Sequence, residues 1–223
     1  GCMERLCDVL EVRRGVTAVI GGGGKTSLLY RLASELRERG MVLVATTTRI
    51  LPPAHLPVRH DREGTLRALR ANGIACAGTP AEGGKLVEPS FADWMTLADY
   101  TLVEADGSKG LPLKAHAPHE PVIPPQSNQT ILVLGAEGLG RTVAQAAHRP
   151  ALYARLAGAE EGSVVTPALA ARMLRAEGLH DRVFVNQADD WERWADAVRA
   201  LAAELDCPVA AGSLRRGVWR RVQ

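Results

Sequence analysis

Four consecutive glycines, Gly21 to Gly24, run straight into Lys25 and Thr26, and no other stretch of the chain restricts its fold as much. The segment VTAVI (16–20) before them has the β-branched makeup of a strand. The segment SLLYRLASELRERG (27–40) after them sets Leu28, Leu29, Leu32 and Leu36 on one helical face ahead of Gly40. Strand, glycine turn, lysine, hydroxyl residue and helix, in that order, suit a phosphate site. Glycines let the backbone close around the oxygens and aim N–H groups at them, and the helix start adds its positive end. In this reading Gly21, Gly22, Gly23, Gly24, Lys25, Thr26 and Ser27 bind a nucleotide. Lys25 bridges the β- and γ-phosphates, and the Thr26 hydroxyl ligates Mg2+. The match to G-x-x-x-x-G-K-[ST] is incomplete, because Val19 stands where the first glycine would be. A variant loop is therefore expected, with a merely flexible glycine turn as the alternative.

The rest of the chain alternates short β-branched runs with helical patterns, which predicts α/β units on a mainly parallel sheet. Strands are expected at 41–48, 74–78, 100–106, 131–135, 182–186 and 207–213, and helices at 62–71, 150–157, 167–177 and 191–205. Thr166 and Pro167 supply the cap and first position of the third of these helices. The expected architecture is one three-layer P-loop NTPase-like domain over 1–223, with helices on both faces of the sheet. Residues 49–90 are readable as an insertion, and 107–125 as a functional loop too long for a connector. A second glycine turn, GAEGLGRT (135–142), carries Arg141 in place of lysine. It reads as a loop or helix cap, with a contribution to substrate binding as the alternative.

A phosphate-bound Mg2+ calls for an acidic group at a neighbouring strand end. YTLVEAD (100–106) offers Glu104 and Asp106 two residues apart, on one face of an extended strand. With Lys25 they form the expected catalytic set, unless they are only exposed strand-end acids. Thr46, Thr47 and Thr48 end the second strand, 41–48, on the same sheet edge. Thr47 joins Thr26, Glu104 and Asp106 as a candidate metal ligand, although threonines are also simply good strand formers.

Asn186-Gln187-Ala188-Asp189 follows the strand RVFV and resembles N-K-x-D, in which asparagine fastens the loop and aspartate accepts from guanine. Asn186 and Asp189 are the base-site candidates, and Ala211-Gly212-Ser213 occupies the place of a second base loop. Guanine, another base and an ordinary loop all stay open. In GSKGLPLKAHAPHEPVIP (107–124), Lys109, Lys114, His119 and Glu120 are candidates for a second, anionic substrate, and the histidines for proton transfer. A rigid proline-braced surface loop is one alternative, and a metal held by His116, His119 and Glu120 is another.

Hydrophobic residues at 46%, charged residues at 23% and a net charge of +2 exclude disordered, collagen-like and coiled-coil classes. Cys2, Cys7, Cys76 and Cys207 have neither CxxC nor zinc spacing, so reduced thiols are expected. With no apolar run of about 18 residues, a cytoplasmic protein without a membrane partner is expected. The basic residues Arg215, Arg216, Arg220 and Arg221 read as a solvated edge, against an anion or nucleic-acid patch; no specific nucleic acid is expected.

Together, GGGGKTS (21–27), TTTRI (46–50), EADGSKGLPLKAHAPHEPVIP (104–124), HRP (148–150) and NQAD (186–189) resemble the selenium-dependent hydroxylase accessory proteins, the YqeC-like family. The run from Glu104 to Pro124 is the most specific of these. The resemblance implies a cytoplasmic P-loop protein associated with maturing selenium-dependent molybdenum hydroxylases, with ATP or GTP and Mg2+ as cofactors. It also implies that His119 and Glu120 match the family pattern, whereas proline is common where this chain has His116. Three functions follow as expectations. The first is an NTP-hydrolysing maturation factor. The second is a kinase or nucleotidyltransferase acting on a molybdopterin or selenium compound. The third is a non-enzymatic nucleotide-binding module.

Overall fold

A computed structural model describes residues 3–107 and 109–223. Ser108, within the proline-rich loop, and Cys2 lie outside the described residues. The strands are β1 (Gly15–Gly21), β2 (Val42–Thr46), β3 (Val58–Arg59), β4 (Ile74–Ala77), β5 (Thr79–Ala81), β6 (Lys85–Val87), β7 (Tyr100–Glu104), β8 (Leu113–Lys114), β9 (Ser127–Gly135), β10 (Ala147–His148), β11 (Arg182–Asn186), β12 (Val209–Ser213) and β13 (Val218–Arg221). The α-helices are α1 (Leu6–Val9), α2 (Lys25–Leu36), α3 (Arg62–Asn72), α4 (Val143–Ala146), α5 (Pro150–Ala157), α6 (Pro167–Glu177) and α7 (Trp191–Ala203).

Among the described residues, nine strands form one sheet in the order β13-β12-β11-β9-β1-β7-β2-β4-β3. Every pairing in it is parallel except that of β12 with β13. Successive residues of a strand serve opposite faces. Ala18 and Ile20 of β1, with Leu132 and Leu134 of β9, meet α4 to α7. Val19, Ile131 and Val133 meet α1 and α2. The α3 helix covers Leu43 and Ala45 of β2 with Trp94. Because both faces are covered, β1, β2 and β7 are buried along nearly their whole length, as a parallel sheet requires. The fold is therefore three-layer α/β, a mainly parallel sheet with helices on both faces.

Several boundaries shift from those expected, each for a local reason. The β2 strand stops at Thr46 rather than Thr48, because the Thr46 hydroxyl accepts the Thr48 N–H at 3.0 Å and turns the chain. The β7 strand stops at Glu104, because the next-but-one carbonyl, that of Asp106, accepts from Lys25 instead of from a strand. The α2 helix closes at Leu36, four residues before Gly40. Residues 49–90 contribute β3 and β4 to the main sheet, α3 to its face, and the hairpin β5/β6 beside it. GAEGLGRT holds a single 3-10 turn, Ala136–Gly138, and then Thr142, whose hydroxyl forms a capping box with Gln145 at the start of α4. That is the helix-cap reading.

The β13 edge strand, which the sequence pattern did not suggest, carries the basic tail. Arg220 and Arg221 are exposed there, and Arg221 pairs with Glu4 at 2.8 Å. Trp219, between exposed neighbours, is buried and donates to the Glu4 carbonyl.

Candidate functional site

The glycine turn is shaped by what presses on it. A Cβ on Gly22 would lie 2.4 Å from the Leu111 carbonyl oxygen. On Gly23, with φ at +77°, it would lie 2.5 Å from the Gly135 nitrogen. Both distances are below any real contact, so glycine is required by close packing and not by flexibility. The amides of the turn are already engaged. Gly21 N donates to the Asp106 carboxylate at 2.9 Å, Gly22 N to the Val133 carbonyl at 3.0 Å, and Gly23 N to the Leu111 carbonyl at 3.1 Å. The donors without a helical acceptor are those of the first turn of α2, at Lys25, Thr26 and Ser27.

Lys25 is only 4% exposed. Its ammonium donates to the Asp106 carbonyl at 2.7 Å and to Asp106 Oδ1, and it lies 3.8 Å from Glu104 Oε1. Although β7 ends before Asp106, both acids converge on the lysine. Thr26 and Ser27 are exposed at the mouth of this arrangement. The Thr47 hydroxyl is directed elsewhere, donating to the Val122 carbonyl at 2.5 Å, and so fastens the 107–125 loop. Thr46 is the buried threonine, donating to the Glu104 carbonyl at 2.8 Å.

Behind Asp106 stands His116, its Nε2 at 2.5 Å from Asp106 Oδ2 and its Nδ1 at 3.0 Å from both carboxylate oxygens of Glu177. Burial works to raise the Asp106 pKa. The His116 hydrogen bond, the Lys25 charge and the Gly21 N–H outweigh it and hold the carboxyl below its ordinary value. Burial likewise works to lower His116, and its two carboxylate partners overcome it and raise the pKa. Glu104 is raised, by burial first and by the nearby Asp106 charge, against the pull of Lys25.

The candidates on the 107–125 loop separate into two groups. Lys114 is buried and donates to the Gly107 carbonyl and, at 2.8 Å, to Glu120, whose other oxygen accepts from Arg149 at 2.7 Å. The short parallel ladder β8/β10 brings these together, joining the loop to the HRP segment. Burial would raise Glu120, but the hydrogen bonds from Lys114 and Arg149 prevail and bring it down to about 2. Lys109 and His119 are exposed. His116, His119 and Glu120 do not converge as a metal set: His116 is held by carboxylates, Glu120 by cations, and His119 is exposed. Among the described residues, no three His, Cys, Asp or Glu side chains gather as a metal site.

A cleft of about 870 Å³ opens beside the turn, lined among others by Gly24, Ser27, Arg31, Asn186, Asp189 and Arg215. Asn186 ties its walls together, donating to the Gly23 carbonyl at 2.7 Å and accepting the Leu214 N–H at 3.0 Å. Asp189 pairs with Arg215 at 2.5 Å. The Ser213 hydroxyl first, then the charges of Arg215 and Arg216, hold its carboxyl below the ordinary value despite partial burial. Gln187 has φ at +65° and lies against Gly135, its side-chain amide oxygen Oε1 buried with no partner among the described residues.

The family model described as "YqeC protein" matches residues 17–151, which run from β1 through the glycine turn, Asp106 and the loop into α5. The chain belongs to the YqeC family. An Escherichia coli (strain K12) protein titled "Uncharacterized protein YqeC" is 38% identical to this YqeC-family chain over 160 residues, covering 66% of the chain. The match spans 62% of that relative's length, less than two thirds of it. Among solved structures, the hydrogenase maturation factor HypB from Archaeoglobus fulgidus matches at 12% identity with a TM-score of 0.44, covering 92% of this chain and 83% of that one. That likeness is too loose to carry an inference. Glu177, Asn186 and Asp189 lie beyond the residues matched to the YqeC model.

Sequence reasoning weighed His116 only for proton transfer or a metal, read Arg215 as part of a basic edge, and did not single out Glu177 or Arg149. For Arg149, the HRP tripeptide was the available signal. For Glu177 there was none, since it sits at the end of an ordinary amphipathic helix.

Proposed function

We propose that this YqeC-family chain binds a nucleoside triphosphate with Mg2+ and hydrolyses it, as an accessory protein in the maturation of selenium-dependent molybdenum hydroxylases. The observation that carries the reading is the Lys25 and Asp106 contact at the head of α2, beside an open cleft. A buried lysine facing exposed first-turn amides is the arrangement that exchanges a carboxylate partner for a phosphate. Lys25 and the Thr26 and Ser27 amides would hold the phosphates, and Asn186 and Asp189 would border the base.

The donor set suits Mg2+: one hydroxyl, Thr26, and the carboxylates Asp106 and Glu104, direct or through water. Bound there, the metal would neutralise charge on the phosphate oxygens. Asp106 would stay ionised and fixed by the Gly21 N–H, with Glu104 beside it reaching the metal direct or through water. ATP and GTP both remain in the reading, Asp189 favouring GTP once Arg215 yields it. The client would be a molybdenum hydroxylase or its cofactor, met in the cytoplasm.

The deciding experiment is calorimetry and a thermal-shift panel with ATP, GTP and CTP, each with and without Mg2+, on the wild-type chain and Lys25→Ala. Binding raises the melting temperature by an amount that grows with the logarithm of the ligand concentration over Kd. Wild-type stabilisation that Lys25→Ala abolishes supports the reading, and equal affinity in both would remove it.

A second reading, phosphoryl or nucleotidyl transfer to a molybdopterin or selenium compound, is favoured by Lys109 and His119. They are exposed on a loop tied down beside the phosphate turn by the Thr47 to Val122 and β8/β10 contacts. It predicts turnover that is low until the acceptor is added. A non-enzymatic module would bind nucleotide without turnover under every condition.

A further inference from the structure

Behind the phosphate site runs a buried line of three side chains. Asp106, His116 and Glu177 have side-chain exposures of 0%, 2% and 5%. Asp106 Oδ2 accepts the Gly21 N–H at 2.9 Å and faces His116 Nε2 at 2.5 Å. On the far side of the ring, Nδ1 lies 3.0 Å from each Glu177 oxygen, and the His116 backbone N–H donates to Glu177 Oε2 at 2.7 Å. An ionised carboxylate can only accept. Both ring nitrogens therefore donate, and the ring is fixed in one orientation by a two-point grip from Glu177.

Each member of the line stands on a rigid support. Glu177 is the last residue of α6, whose start is capped by Thr166. His116 follows the β8/β10 ladder, with the Ala115 N–H donating to the His148 carbonyl at 3.1 Å. Asp106 follows β7, whose ladder to β1 extends through the Ala105 N–H to the Val19 carbonyl. The result is directional. Gly21 and His116 take one carboxylate oxygen of Asp106, which leaves Oδ1 turned toward Lys25 and the mouth of α2. Were Lys25 to turn to a phosphate, the Gly21 and His116 contacts would keep that oxygen in place.

We propose that His116 and Glu177 are positioning residues that fix the Asp106 carboxylate, so that a single oxygen faces the metal and phosphate end of the nucleotide. The inference rests on the nucleotide reading given above. It extends the site from the glycine turn to the end of α6, outside the YqeC-matched residues. Partners that orient a ligating carboxylate commonly change metal affinity or activity by about 10–100-fold when removed.

The test is calorimetry of the β,γ-imido analogues of ATP and GTP, each with and without Mg2+, on wild type, Glu177→Ala, Glu177→Gln and His116→Ala. Urea unfolding of each variant checks that it is folded. The expected result is that Glu177→Ala and His116→Ala keep the Mg2+-free affinity, which Lys25 and α2 supply. Both should lose about 10-fold or more of the strengthening that Mg2+ gives. Glu177→Gln, which still accepts from Nδ1, should recover most of it. In turnover, KM for the Mg2+-nucleotide should rise in Glu177→Ala in step with the lost affinity and recover in Glu177→Gln, the pattern of an interaction already made in the ground state.

If His116→Ala does not fold, the Glu177 pair decides alone. Wild-type Mg2+ strengthening in Glu177→Ala overturns the proposal. So does equal loss of affinity with and without Mg2+, or identical behaviour of the Ala and Gln variants. A wild-type chain that binds neither analogue overturns the nucleotide reading and this inference together. Wild-type binding that Mg2+ does not strengthen overturns this inference alone.

Discussion

The Lys25 ammonium and the Asp106 carboxylate hold each other at the head of α2, with side-chain exposures of 3% and 0%. Each is therefore the counter-ion that makes the other's burial tolerable. Replacing one partner of a buried pair leaves the other uncompensated, at a cost of about 3–5 kcal/mol. Asp106→Asn, which keeps the shape, should lower the unfolding free energy by roughly that amount in urea titration. A change under about 0.5 kcal/mol would show that the contact matters little to the folded state.

Gly23 and Gly83 form a natural control pair. Both have positive φ, +77° and +71°, but a Cβ on Gly83 would meet nothing within 4 Å, whereas on Gly23 it meets backbone at 2.5 Å. Gly83→Ala should cost about 1 kcal/mol, the conformational part alone. Gly23→Ala should cost several times more and remove nucleotide binding. Equal melting temperatures for the two variants would contradict the packing account of the turn.

Glu120 sets an acid limit on stability. Its folded pKa, about 2 against an ordinary 4.5, is depressed. Its contribution is therefore fully present above pH 4.5 and is lost as the pH falls toward about 2. Urea midpoints should fall through that window in wild type, and less steeply in Glu120→Gln. Parallel curves for the two proteins would rule out Glu120 as the group responsible.

Asn186 joins two backbone segments through one side chain. Asn186→Ala leaves the Gly23 carbonyl and the Leu214 N–H without that partner, worth about 1–3 kcal/mol where water cannot enter. Hydrogen exchange should quicken at Leu214 and in the turn at 21–24 together. Faster exchange in only one of the two would refute the tie.

Asp189 is the test of base choice. If it reads guanine, Asp189→Asn should erase a GTP over ATP preference in the thermal-shift panel, and Arg215→Ala, which frees Asp189, should strengthen it. A preference unchanged in both variants would assign base recognition elsewhere in the cleft.

The legible parts of the fold were those written in local pattern. The apolar runs of β1, β7, β9 and β11, the leucine face of α2 and the Thr166-Pro167 start of α6 all depend on residues a few places apart. β13 was not legible, because its four residues hold two arginines and one buried tryptophan whose partners, Glu4 and the core beneath α1 and α2, lie far away in the sequence. In the candidate site, the convergence of Lys25, Glu104 and Asp106 followed from strand and helix order alone. The partnership of His116 with Glu177 could not, since 61 residues separate them and a glutamate at a helix end usually faces water. Thr47 shows the opposite limit: its position on the sheet edge was right, but its hydroxyl serves the loop at Val122.

The engaged amides of Gly21, Gly22 and Gly23 also bear on how such a chain can vary. Their acceptors belong to Asp106, Val133 and Leu111, on the strand or loop to either side, so the curve of the turn is inherited from its neighbours. A change in the spacing between Leu111 and Gly135 would reshape the turn without altering one of its residues. Grafted alone into another sheet, GGGGKT would not be expected to keep its form, and mutational tolerance at the turn should track substitutions in β9 and at Leu111.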